Sequence, residues 1–407
     1  MSRSNGLDLP PDRQGLGPLF VTLAIQALVS MASFTLPVLA PSIASGTGIN
    51  VSFVGFYVAL IYLAAMVSSL LSGRWIPRLG AIRVSQLCLL LAALGLAVSA
   101  IGSIWALGVS ALLLGCGYGP VTPASSHILA RTTPPRRMGL MFSLKQTGVP
   151  LGGVLAGAAV PGAESSTGWQ GAVYLVGGAC VIVAIIAQYS RNALDSDRQA
   201  DYRPSNNLFR PLVLILAHRQ IRNLAICSFF FGAMQLCLTT YLVTYLNHAY
   251  DIGLVTAGLI LAFAQGGGMA GRLLWGWIGD RWIVPSRLLA MLALAMAISS
   301  GLFAAVTPEW PVPIVTALCV FFGATAIGWN GIYLAEVARL APAGSAGQYT
   351  GGTLFFTYFG VVAGPPMFAL VAEYGGSLEV GYATFGLLVL LIGIALAVAA
   401  SRHTASP

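Results

Sequence analysis

Apolar stretches long enough to cross a bilayer recur along almost the whole of this chain, separated by short polar connections, and that pattern leaves little room for a soluble fold. A helix needs about 20 apolar residues to cross about 30 Å of hydrocarbon. Candidate spans run over 18–42, 52–75, 82–102, 105–130, 138–160, 169–190, 221–247, 253–278, 286–307, 312–338, 349–372 and 379–401. Composition agrees: 57% of residues are hydrophobic and 8% are charged, where soluble domains carry about 25% charge. The expected fold is an all-α polytopic membrane protein, with twelve transmembrane helices in two six-helix pseudo-symmetric halves. Its divisions are a tail at 1–17, a first bundle at 18–190, a linker at 191–220, a second bundle at 221–401 and a tail at 402–407. The first apolar run is too long for a signal-peptide core, so it reads as a true span.

The net charge of +8 is spread over many connections rather than gathered into a nucleic-acid patch. Alternate connections hold Arg74, Arg78 and Arg83, then Arg131, Arg136 and Arg137, then the linker arginines, then Arg281 and Arg287, then Arg339. The opposite connections hold Glu164, Asp251, Glu309, Glu373 and Glu379, without lysine or arginine. By the positive-inside rule both termini are cytoplasmic, and a bacterial inner membrane fits. The six cysteines lie in apolar spans without a C-x-x-C pair, and the four histidines are scattered. Neither a disulfide framework, a metal cluster nor a cofactor is called for. The expected partners are a small substrate, protons and the bilayer, for a monomer without nucleic acid.

Two cations break the apolar pattern. Lys145 is the chain's single lysine and lies eight residues beyond Arg137. Arg272 lies eight residues before Asp280. At 1.5 Å per residue, both sit about 12 Å from the arginine-bearing edge, near mid-membrane. Ionisable groups at that depth mark substrate or ion sites. No aspartate or glutamate lies at the same depth, so a transported anion is the natural counter-charge. Arginine offers a planar fork to a carboxylate, and lysine a point charge. The bland alternative is that Lys145 snorkels toward the nearer edge.

The halves echo each other. Gly73-Arg74-Trp75-Ile76-Pro77-Arg78-Leu79-Gly80 follows the second span, and Gly276-Trp277-Ile278-Gly279-Asp280-Arg281 follows the eighth, 203 residues later. Parallel six-helix repeats place a transport site between the halves at mid-membrane. Together with the twelve spans and the charged linker, this repeated G-x-x-x-D-R-x-G loop resembles the major facilitator superfamily over the whole chain. Pro77 stands where the pattern has an acid, and Ile283 where the second copy has its last glycine. The resemblance implies a gate at the arginine-bearing end, built from Asp280, Arg281, Glu336, Arg339, Arg78 and Arg131, with the first-half latch weakened or differently made. It implies the fifth and eighth helices side by side, and the glycines of both (148, 152, 153 and 157; 266, 267, 268 and 271) suit close approach. Arg272, four residues before Gly276, resembles the carboxylate-binding arginine of the monocarboxylate and oxalate–formate branches. Gly268 and Leu273 depart from the acid and proline that often flank it there.

Gln26, Gln235, Gln265, Asn330, Tyr333 and Tyr358 complete the expected substrate set, each with helix packing as the plainer role. Phe355, Phe356 and Phe359 suit an apolar substrate body or the core. Glu336 and His127 are the expected proton sites. The leading function is secondary transport of a small organic anion, a mono- or dicarboxylate, by alternating access with proton symport or exchange. An inorganic-anion porter of nitrate or cyanate type and a drug efflux pump are the alternatives. Tyr57 and Tyr62 stand in the second span where a nitrate porter has an arginine. A membrane enzyme lacks a nucleophile–base set in this sequence.

Overall fold

The computed structural model describes residues 16–48, 53–199, 201–202, 209–250 and 252–404. Most of the N-terminal tail, the first residue of the expected second span, Arg203 in the linker, Asp251 and residues 405–407 lie outside these. The described chain is helical almost throughout. Among the described residues, eleven helical stretches suit a membrane crossing, and one of them, Pro135–Leu194, is long enough to cross twice. It turns back at Gly168, whose φ of 74° is the left-handed backbone that a side chain would strain. Twelve spans result.

α1 is Gly17–Val38, extended by the short helix Ala40–Thr47. α2 is Phe53–Leu79 and α3 is Ala81–Ser99. α4 is broken into Ile104–Tyr118 and Val121–Thr132. α5 starts as Met138–Gln146 and resumes at Gly148, within the helix Gly148–Leu194 whose part beyond Gly168 is α6. After the short linker helix Arg210–Ala217 come α7 (Arg219–Tyr250), α8 (Leu254–Arg281) and α9 (Pro285–Ala304). α10 is broken into Val312–Ala326 and Asn330–Leu340. α11 is Ala346–Gly375 and α12 is Leu378–Thr404.

Two boundaries differ from the sequence reading. The expected loop between the fifth and sixth spans is helical up to Gly168. Ser166 and Thr167 look polar enough for a loop, yet their hydroxyls bond back to the carbonyls of Gly162 and Ala163 within the helix. The linker, expected from residue 191, begins after Leu194 because α6 runs one turn further.

Packing repeats the symmetry of the sequence. In the first half α1 lies on α5, α2 on α4 and α3 on α6; in the second α7 lies on α11, α8 on α10 and α9 on α12. Between the halves, α2 meets α11, and the first segment of α5 meets α8 and the second segment of α10. The second segment of α4 meets α11. These cross-contacts concentrate on segments that carry Arg131, Arg281 and Arg339 at their ends, which we call the arginine-rich end. There the halves are closed on each other.

The glycines do a different job from the one expected. A Cβ on Gly148 or Gly152 would strike Gln26, Ala27 and Ser30 of α1, and one on Gly267, Gly268 or Gly271 would strike Val320, Ala324 and Ile327 of α10. They seat helices within each half. The approach of α5 to α8 is made by Gly139 and Gly276, where a Cβ on either would lie 2.7 Å from the other's carbonyl oxygen. Small residues serve both contacts for one reason, since without tail-exclusion driving association, backbone proximity supplies the packing.

Candidate functional site

Lys145 lies one residue before the end of the first α5 segment and is 1% exposed. Its ammonium donates to Gln26 Oε1 at 2.7 Å, Gln146 Oε1 at 2.9 Å and Thr122 Oγ1 at 3.2 Å. Thr122 Oγ1 in turn donates to Gln26 Oε1 at 3.1 Å, and Gln26 Nε2 to Ser30 Oγ at 3.2 Å. Side chains from α1, α4 and α5 thus close around one amine. The ammonium has three protons and three acceptors, all neutral. It points into the bundle and does not snorkel.

Arg272 on α8 is 4% exposed. Its Nε donates to the carbonyl of Ile327 at 3.2 Å, and its Nη1 to the carbonyl of Gln146 at 2.5 Å. Both acceptors sit at helix breaks, between the two segments of α10 and between the two segments of α5. A break frees carbonyls that a continuous helix would use. Arg272 therefore bridges the two halves at depth. Among the described residues no carboxylate pairs with either cation. A buried charge that lacks a counter-ion costs several kcal/mol even when hydrogen-bonded.

Tyr358 comes next to this pair through a cluster of phenols. Its ring lies 6.1 Å from Tyr62 and 6.3 Å from Tyr118, which are themselves 6.1 Å apart. Tyr118 is within electrostatic reach of Arg272. Three helices from both halves, α2, α4 and α11, thus gather three phenol rings, of which Tyr118 is the one that feels the guanidinium.

The other expected residues separate. Gln235 Oε1 accepts from Trp329 Nε1 at 3.2 Å and Asn330 Nδ2 at 3.0 Å, tying α7 to the break in α10. Tyr333 is fully buried and stacks edge-on to Trp329. Gln265 is exposed on α8. Phe359 is exposed and packs on Phe229, away from the phenol cluster. Tyr118, Thr122 and Gln146 belong to the centre although the sequence reading gave them no substrate role. All three are uncharged polar residues of a kind common in membrane helices, so no single-residue signal sets them apart.

At the arginine-rich end, Asp280 of α8 accepts from the backbone N–H of Gly139 at 2.7 Å and of Leu140 at 2.8 Å. A carboxylate here caps the first turn of α5 in the opposite half, where its charge is favoured. The equivalent position in the first half is Pro77, and Gly73 instead rests against Gln348 of α11. Ser69 adds a bond to the carbonyl of Gly351 at 3.4 Å. Glu336 and Arg339 pair at 2.7 Å. Arg281 stacks over Trp277. Arg78 is exposed, with no partner among the described residues.

His127 and Arg131 meet one aspartate of the linker, Asp197, to which the sequence reading gave no role. His127 Nε2 lies 2.6 Å from Asp197 Oδ2, and Arg131 pairs with Asp197 Oδ1. Burial raises the Asp197 carboxyl, but the hydrogen bond to His127 and the charges of His127 and Arg131 outweigh it and leave the group below its ordinary value. Asp195 accepts from the N–H groups of Ile82 and Arg83, capping α3. Burial raises its carboxyl above the ordinary value despite those bonds. Gly80 has a φ of 95°, and a Cβ there would strike Asp195, so the last loop glycine is required twice over.

A profile of the Major Facilitator Superfamily matches residues 22–365. The chain belongs to the Major Facilitator Superfamily. The fold agrees with solved members: the transporter FucP in its outward conformation aligns with a TM-score of 0.76 at 16% identity, covering 94% of this chain and 98% of that one. A human organic anion transporter aligns with a TM-score of 0.69 at 18% identity, covering 95% and 100%. Among curated sequences, human monocarboxylate transporter 11 is 29% identical over 342 residues, 80% of this chain and 69% of the relative. The gentisate transporter of Corynebacterium glutamicum is 26% identical over 309 residues, 72% and 67%. This member of the superfamily is a membrane transporter and not an enzyme.

Proposed function

We propose that this chain is a secondary transporter of a small organic anion, a mono- or dicarboxylate, working by alternating access. The observation that carries the reading is the pair Lys145 and Arg272, one from each half, buried at the centre with only neutral oxygens as partners. An anion supplies the missing charge between them. The phenols of Tyr62, Tyr118 and Tyr358 suit an organic body beside the charged group and favour this over an inorganic-anion porter. A buried positive centre also opposes cationic drugs. Two relatives are named for carboxylate cargo, which agrees.

In this reading the arginine-rich end faces the cytoplasm and both termini lie there. The closed contact at Asp280 and Gly139 then makes this the conformer shut toward the cytoplasm. Transport is proton symport or anion exchange, in a monomer. Glu336 and His127 sit in ion pairs at the gate, at a distance in chain position from the central cations. The deciding experiment is a thermal-shift screen of purified protein against small carboxylates, nitrate and cationic drugs. Stabilisation by carboxylates alone is the expected result. Stabilisation by cationic drugs alone would overturn the reading.

A further inference from the structure

One residue serves both central cations. Gln146 receives the Lys145 ammonium on its side-chain Oε1 and the Arg272 guanidinium on its backbone carbonyl. It ends the first segment of α5, and four residues on stands Pro150, which has no N–H to offer its carbonyl, so that oxygen is free for Arg272. The side chain is 6% exposed. Its two oxygens stand between a cation of the first half and a cation of the second. That is also where the negative oxygens of a cargo carrying the missing charge would belong.

We propose that Gln146 is a placeholder for the transported anion. In the empty carrier its neutral oxygens hold Lys145 and Arg272 together across the two halves. The substrate's anionic oxygens take over those hydrogen bonds, which strengthens them, because an ionised acceptor adds charge–charge attraction to the cationic donor. Release from Gln146 frees the break in α5 from Arg272, and the halves are then joined at the centre through cargo instead of through backbone. This rests on the anion reading above. Gln146 acts through Lys145 and Arg272 as a positioning residue, and the cargo displaces it.

The test places a carboxylate where the amide stands. Gln146→Glu supplies an internal counter-ion almost without change of shape. The expected result is a folded carrier whose anion-induced thermal shift is lost. Cysteine labelling at the arginine-rich end should then show, without added anion, the exposure that the wild type shows only with it. A purely structural glutamine would not produce that gain. Gln146→Leu is the companion variant. It removes one acceptor from Lys145 and leaves the backbone carbonyl, so the cargo meets less competition and should bind about threefold to tenfold more tightly. Wild-type anion affinity in Gln146→Glu, or weakened affinity in Gln146→Leu, would overturn the placeholder role. A wild type stabilised by none of a panel of acetate, benzoate, succinate and oxalate would overturn the anion reading itself.

Discussion

Lysine and arginine divide the work at the centre according to their chemistry. The Lys145 ammonium has spent all three donors, whereas Arg272 uses two of its five and keeps the rest of a planar fork. Arg272→Lys keeps the charge and loses the fork, so anion affinity should fall by roughly tenfold or more. Lys145→Arg should be milder. Thermal shifts with the best carboxylate measure both, and undiminished binding by Arg272→Lys would take the fork out of the site. A second expectation concerns Asp197. Its carboxyl is held below the ordinary value by His127 and Arg131, so its stabilising effect is present above about pH 4 and lost as pH falls through the lower folded value. Asp197→Asn should lower the melting temperature at pH 7, and the gap from wild type should close as pH falls through the lowered folded value. A gap independent of pH would mean that the ion pairs contribute nothing. Lys145 and Arg272 were legible in the sequence because a cation in an apolar helix is rare. Asp195 and Asp197 were not, because a linker aspartate that caps a helix or pairs with a helix-borne cation looks the same in sequence as a solvated one.

Helices carry the gate through their ends and interruptions. α4, α5 and α10 are each broken, and both carbonyls that accept from Arg272 lie at breaks. The contact of Asp280 with the first turn of α5 ties that break to the arginine-rich closure. Asp280→Asn should loosen it, raising cysteine labelling of α4, α5, α10 and α11 from that side. Gly139→Ala tests the same contact by crowding, since the added carbon meets a carbonyl and the Asp280 carboxylate, and it should shift labelling the same way. Unchanged labelling in both would place the latch elsewhere. The spans themselves could be read closely from hydropathy. The breaks were not read, although Gly119-Pro120 in α4, Gly148 and Pro150 in α5 and Gly328 in α10 stand beside them, because glycine and proline are frequent in membrane helices that run on unbroken. The glycines were legible as packing residues but not as to partner. A glycine announces close approach without saying to which helix.

The molecule as a whole is two similar bundles with unequal seams. Between α5 and α8 a carboxylate caps a helix across the divide; between α2 and α11 Gly73 rests on Gln348, and Pro77 stands where the acid would be. The sequence repeat made that difference visible in advance, since one proline in place of an acid was enough. If the empty carrier is held by Arg272 on Gln146, it should reorient slowly, and exchange of internal for external substrate should outpace net uptake in proteoliposomes. Equal fluxes with and without internal substrate would contradict this.

The same pair of cations has an electrical meaning. An elementary charge moved through the full field of a membrane exchanges about 2.3 kcal/mol per 100 mV. Lys145 and Arg272 belong to opposite bundles, so any rocking of one bundle against the other shifts positive charge within that field. With cargo aboard, part of this charge is cancelled. The unladen return step should therefore respond to membrane voltage more steeply than the laden step, and a clamped potential should tune net flux while leaving exchange nearly constant.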